Sequence, residues 1–249
     1  GDDNSAQGGY DLFLVKYNSS GTKQWTKQLG TTVDDKAYGV TVDSSNNLYV
    51  SGFTNGSLDG NTNIGNRDFF LIKYSCDGTK QWTKQFGTNV DDEGYGVASD
   101  SSNNIYVTGF TKGNYDGNSS SGGDDIVLVK YNSSGAKQWS KQLGSESTDI
   151  SEGLTNDSSG NIYVTGYSFK AFDGNSRIGG YDAILVKYNS SGTKQWSRQF
   201  GTAQNDKGIG VAVDSSGNIY VTGYTKGTFS QPGGNSQFGE NDIFLIKFN

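Results

Sequence analysis

The sequence predicts an all-β protein, a β-propeller of four-stranded antiparallel blades, and three observations carry that prediction. The first is a repeat. Trp25, Trp82, Trp139 and Trp196 stand 57 residues apart (82 − 25, 139 − 82, 196 − 139), and a fixed period of this size marks a repeat architecture. The second is composition. Of 249 residues 37 are Gly and one is Pro, in a chain rich in Asn, Ser and Thr, which reads as many short strands joined by tight turns. The third is that each period divides into four short β-type segments. Four-stranded units repeated around a ring are the plan of a propeller. Hydrophobic content is only 32%, but a net charge of −6 and 13% aromatic residues set the chain apart from disordered sequences.

The second copy shows the elements in order. Residues 95–100 (YGVASD) form strand a, the turn SSNN follows, and residues 105–110 (IYVTGF) form strand b. A polar loop leads to residues 125–131 (DIVLVKY), strand c. The turn NSSG then leads to residues 137–142 (KQWSKQ), strand d. The a–b turn opens on Asp43, Asp100, Asp157 and Asp214, and the c–d turn on Asn18, Asn132 and Asn189. Short Asx/Ser/Gly loops of this kind close hairpins through side-chain hydrogen bonds and left-handed residues. One c–d turn reads Ser75-Cys76-Asp77-Gly78, which places the single Cys at an exposed Ser position. Strand c is nearly continuously apolar, as a strand covered on both faces should be. Strand d alternates, with Lys23, Trp25 and Lys27 on one side, which suits an outer strand. Its Trp is expected to pack in the core or between blades rather than to stack on a sugar.

The repeating unit resembles the bacterial SBBP-type β-propeller repeats. The resemblance rests on DDEGYGVASDSSNNIYVTGF, DKGIGVAVDSSGNIYVTGY and their sisters, each followed by D-x-[FI]-L-[VI]-K-[YF], and it covers essentially the whole chain. It implies that strand a is innermost, beside a central channel, and that strand d is outermost. It also implies a kinship with parts of secreted and cell-surface bacterial proteins.

Residues 1–249 are accordingly read as one propeller domain of four 57-residue repeats plus one additional strand. Strand c begins five times, at Asp11, Asp68, Asp125, Asp182 and Asp242, whereas a, b and d occur four times each. Four inner strands favour four blades. The closing blade would take a, b and c from the C-terminus and d from the N-terminus near Trp25, as a clasp. The alternative is a five-bladed or incomplete ring cut from a longer array.

Two sets of acids are candidate metal ligands. Asp35, Asp92, Asp149 and Asp206 keep the period just before strand a. In the family-like topology they would form an axial carboxylate ring able to hold Ca²⁺, which takes several oxygen ligands. The competing reading is that each Asp caps its own turn. Asp59, Asp116 and Asp173 stand in Asp-Gly-Asn triplets of the b–c loops and resemble part of a calcium loop, though without its closing Glu. A tight turn is the competing reading there, and the last such loop has Gly233 in place of Asp. No cofactor is required, and Ca²⁺ is the one considered.

The chain contains no His, so a nucleophile–base pair built on one is absent. The carboxylate pairs recur in every blade, unlike the single asymmetric constellation typical of catalysis. No phosphate-binding glycine motif opens a helix. The expectation is therefore no enzyme. The pI near 4.7 argues against nucleic acid, and no apolar run could span a bilayer as a helix. A signal or anchor is expected to lie outside this fragment, with the mature protein secreted or at the bacterial cell surface. The leading expectation is a non-catalytic extracytoplasmic interaction module whose polar loops engage a protein or glycan. A lectin-like propeller using Tyr115, Phe172, Phe229 and Phe238 is the alternative. A structural or oligomer-forming unit, self-associating through the extra strand, is a third reading.

Overall fold

Asx turns and two-residue alternation fold this sequence into antiparallel hairpins laid side by side. The computed structural model describes residues 6–229 and 239–248. Strands β1 (Leu12–Tyr17) and β2 (Lys23–Leu29) form a two-stranded N-terminal sheet. Three complete four-stranded blades follow. The first is β3 (Asp35–Val42), β4 (Leu48–Thr54), β5 (Asp68–Tyr74) and β6 (Lys80–Phe86). The second is β7 (Asp92–Ser99), β8 (Ile105–Thr111), β9 (Asp125–Tyr131) and β10 (Lys137–Leu143). The third is β11 (Asp149–Asn156), β12 (Ile162–Ser168), β13 (Asp182–Tyr188) and β14 (Lys194–Phe200). A three-stranded C-terminal sheet holds β15 (Asp206–Val213), β16 (Ile219–Thr225) and β17 (Asp242–Phe248).

The turns work through their Asx side chains. Asp100 Oδ1 accepts from the Ser102 and Asn104 amides, both at 2.9 Å, while its Oδ2 accepts from the Tyr106 hydroxyl at 2.9 Å. The same Asp-to-Tyr bond recurs from Tyr49, Tyr163 and Tyr220. These bonds hold each carboxyl below its ordinary value despite its partial burial. Asn18, Asn132 and Asn189 tie the c–d turns in the same manner.

Strands β5, β9 and β13 are buried on both faces except at their Lys, as their continuous apolar runs predict. The inner strands β3, β7, β11 and β15 pack on one another in succession, so strand a is innermost. The outer strands are half-buried. The Trp82 ring lies 5.9 Å from that of Tyr49 in its own blade. The next blade's c–d turn sits on it, because Gly135 has its Cα hydrogens against the indole. The tryptophans are therefore packing between blades.

The propeller plan holds, but its closure is that of the incomplete ring and not of the clasp. Strand β2 pairs with β1 from Leu12↔Leu29 to Tyr17↔Lys23, so it does not complete the sheet that ends on β17. The reason is local: the Asn18 turn joins β1 to β2 directly, and a short loop costs less entropy to close than one spanning the chain.

Candidate interaction face

The period-keeping aspartates of strand a are structural. Asp35, Asp92, Asp149 and Asp206 are fully buried. Each Oδ2 accepts from the amide and hydroxyl of a residue four places earlier: Thr31, Thr88, Ser145 and Thr202. Burial pushes the carboxyls of Asp35, Asp92 and Asp149 up, and Asp11, Asp68 and Asp125 respectively add like charge. Each carboxylate is thus tied into its own d–a turn through Oδ2, while its Oδ1 is buried without a hydrogen-bond partner. Among the described residues no three His, Cys, Asp or Glu side chains group as metal ligands.

The loop aspartates are also used locally. Asp59, Asp116 and Asp173 have φ of 56°, 54° and 50°, each followed by a left-handed Gly. This is the backbone of a tight turn in which Asp is tolerated and Gly preferred. Lys80 pairs with Asp59 at 2.5 Å and Lys137 with Asp116 at 2.6 Å, and Lys194 pairs with Asp173. Thr83 and Ser140 donate to the same carboxylates. Each Asp thus staples its b–c loop to strand d of its own blade.

Two of the four aromatic candidates are corrected by their burial. Tyr115 and Phe172 are buried in the cores that join the blades, where no sugar could reach their faces. Phe229 is half-buried with its ring 5.4 Å from Phe244. Phe238 lies outside the described residues. Leu58 fills the corresponding core position in the first blade, 57 residues before Tyr115.

What differs from blade to blade sits on the inner strands. Their pairing with strand b slips between Ala37 and Gly39, Gly94 and Gly96, Ser151 and Gly153, and Gly208 and Gly210. The extra residue is a β-bulge, which re-aims a side chain. It is Tyr38, Tyr95, Glu152 and Ile209. At two of the four the following Gly is required by sterics, since a Cβ on Gly39 would lie 2.5 Å from the Tyr95 carbonyl oxygen and one on Gly153 would lie 2.5 Å from that of Ile209.

These bulged residues and their neighbours make a mixed aromatic and charged rim. The Tyr38 and Tyr95 rings are 5.0 Å apart, and the Tyr95 hydroxyl donates to Glu93 Oε2 at 2.8 Å. Arg67 donates to the other oxygen of Glu93. Burial pushes the Glu152 carboxyl up, Lys207 pulls it back, and Glu93 adds like charge. Burial also lowers Lys207, which Glu152 partly offsets. The Lys207 ammonium lies 3.8 Å from the Tyr167 ring centre and 4.7 Å from that of Tyr181, within cation–π range. Beside it a cavity of about 570 Å³ is bordered by Tyr181, Asn205, Lys207 and Tyr224. The sequence reading missed these residues because it followed identical residues: Tyr38, Tyr95, Glu152 and Ile209 keep the 57-residue step but change identity, strand a reading DKAYG, DEGYG, DISEG and DKGIG.

The sequence profile of the SBBP β-propeller repeat matches residues 24–59, 81–116, 138–168 and 195–229. This chain belongs to the SBBP β-propeller repeat family. Each match of this SBBP propeller starts on an outer strand and runs through the inner strand to strand b or just beyond, so every bulged rim residue lies inside one. Two curated relatives are similar to it. The regulatory protein FlaEY of Caulobacter vibrioides is 27% identical over 241 residues, covering 84% of this chain and 25% of its own. An uncharacterised WD repeat-containing protein, L264, of Acanthamoeba polyphaga mimivirus is 26% identical over 222 residues, covering 70% of this chain and 16% of its own. The SBBP chain therefore spans a quarter or less of the length of these relatives. Among solved structures, a Bacteroides caccae protein of unknown function is 12% identical with a TM-score of 0.49, covering 86% of this chain and 65% of that one. A gluconolactonase from Xanthomonas campestris is 11% identical with a TM-score of 0.45, covering 84% and 61%.

Proposed function

We propose that this SBBP propeller is a non-catalytic interaction module acting outside the cytoplasm, and that its axial rim engages a protein partner. The observation that carries the reading is the convergence of the residues that vary at one position of the repeat. Tyr38, Tyr95 and Glu152 come from three successive blades and lie within electrostatic reach of one another. Tyr38, Val40 and Val42 on β3 are more than half exposed. Aromatic anchors with a charged border are the composition of protein interfaces. A rigid repeated scaffold carrying one variable face is the usual division between fold and site. The regulatory role in the name of the Caulobacter relative fits action through binding. The extracytoplasmic setting rests on the resemblance of the repeat to secreted and surface proteins.

The test is site-specific photocrosslinking in the source organism. A photoreactive residue at Tyr38 or Glu152 should capture a defined partner that the same residue at the outer-strand Gln138 does not. Equal capture from both positions, or capture from neither, would overturn the reading.

One observation favours a second reading, recognition of an acidic glycan. The cavity beside Lys207 sets two tyrosine rings next to an ammonium and the Asn205 amide, a combination able to stack a sugar and pair its carboxylate. A glycan array enriched in uronic acids should then show binding that Lys207→Met and Tyr224→Ala abolish. Silence of the array at high protein concentration removes this reading.

A further inference from the structure

Among the described residues one interface is built four times. In strand c the second and fourth residues face the following sheet, and the third and fifth face the preceding one. Leu12 and Leu14 of β1 share a core with Phe70 and Ile72 of β5. Phe69 and Leu71 of β5 share one with Val127 and Val129 of β9. Ile126 and Leu128 pack with Ile184 and Val186 of β13, and Ala183 and Leu185 with Phe244 and Ile246 of β17. A forward-facing pair therefore meets a backward-facing pair at every junction.

Among the described residues two half-interfaces stand uncovered, one of each kind. The forward pair of β17 is Ile243, 91% exposed, and Leu245, 72% exposed, whereas the forward residues of the four earlier c strands are no more than 9% exposed. The backward pair of β1 begins with Phe13, 70% exposed, where its counterparts Phe70, Val127 and Ile184 are fully buried. With exposures this high, the two faces are not covering each other within the chain. Each is the chemical complement that the other's counterparts meet at every internal junction.

We propose that Ile243 and Leu245 dock on Phe13 and Val15 of a second copy of this chain, head to tail, so that the sheet of β15–β17 packs on the β1–β2 sheet as successive blades pack inside the molecule. The occupant follows from continuity with the internal interface: only a sheet with an apolar backward face in this register repeats it, and the β1–β2 sheet presents one. The contact is heterologous, so every added copy leaves one face of each kind free, and assembly proceeds to a closed ring of chains or to an open filament. This differs from strand addition at the β17 edge, which would join backbones side by side and leave both faces bare.

Sedimentation across a wide concentration range tests it. The wild-type mass should rise with concentration. Phe13→Asp alone, and Ile243→Asp with Leu245→Asp, should each be monomeric, with far-ultraviolet circular dichroism unchanged because all three side chains are exposed. Mixed, the two variants should form a 1:1 dimer and nothing larger, since one retains the forward face and the other the backward face. A second measurement uses Phe13→Cys with Ile243→Cys in a Cys76→Ser background and a short bismaleimide, which should yield a ladder of linked chains. A wild type that stays monomeric, association that survives Phe13→Asp, failure of the two variants to complement, or a link formed only within one chain would each overturn the proposal.

Discussion

Gly135 rests on the indole of Trp82, and a Cβ there would stand 3.1 Å from the ring. The two residues belong to different blades, and Gly135 has φ of +79°. A left-handed turn on one blade and the tryptophan of the blade before it are thus one structural unit. Gly78 on Trp25 and Gly192 on Trp139 repeat it.

Gly135→Val should therefore destabilise the protein twice over. A branched side chain at a left-handed position costs about 1–2 kcal/mol, and its methyls would push against Trp82. Trp82→Ala should cost about 3 kcal/mol from lost packing. The pair should be less than additive, because both changes dismantle one contact. Urea unfolding of both single variants and the double variant measures this.

The Asp100 turn predicts a pH dependence. Its folded pKa lies below the ordinary 3.8 because of the Asn104, Tyr106 and Ser102 bonds that outweigh burial. Its stabilising contribution is present above 3.8 and lost as pH falls through the folded value. Asp100→Ala should cost about 1–3 kcal/mol at neutral pH, and its deficit relative to wild type should shrink in that acid range. A deficit that stays constant down to acid unfolding would refute the assignment.

The loop aspartates should behave as staples. Asp116→Asn keeps a residue that tolerates the left-handed conformation and loses an exposed ion pair, so it should change stability by less than about 1 kcal/mol. Thermal melts should be the same with Ca²⁺ and with EDTA. A melting temperature raised by Ca²⁺ in wild type and not in Asp116→Asn would restore the metal reading.

Tyr115 and Tyr38 should separate core from rim. Tyr115→Ala opens a cavity at the junction of the first two complete blades and should cost about 3–5 kcal/mol. Tyr38→Ala removes a ring that is 53% exposed and should leave the melt nearly unchanged while abolishing photocrosslinking to the axial partner. Equal destabilisation by both would remove Tyr38 from the candidate face.

The sequence by itself determined the repeat, the four strand types, the hairpin turns and the place of tryptophan in packing. Each is local or periodic. An Asx turn is written in five consecutive residues, a doubly covered strand in an unbroken apolar run, and a repeat in identical spacing. The same periodicity misdirected the search for a site. Asp35, Asp92, Asp149 and Asp206 recur because every d–a turn needs a buried acceptor, and Tyr115 and Phe172 recur because every blade junction needs a plug. Only the tertiary structure decided these roles, because burial is set by chain segments far apart in sequence. It also decided that β2 pairs with β1, where a short turn outcompetes a partner at the far end of the chain. And it gathered Tyr38, Tyr95, Glu152 and Lys207 into one rim: the first three share the 57-residue step, but only the packing of neighbouring inner strands brings them together.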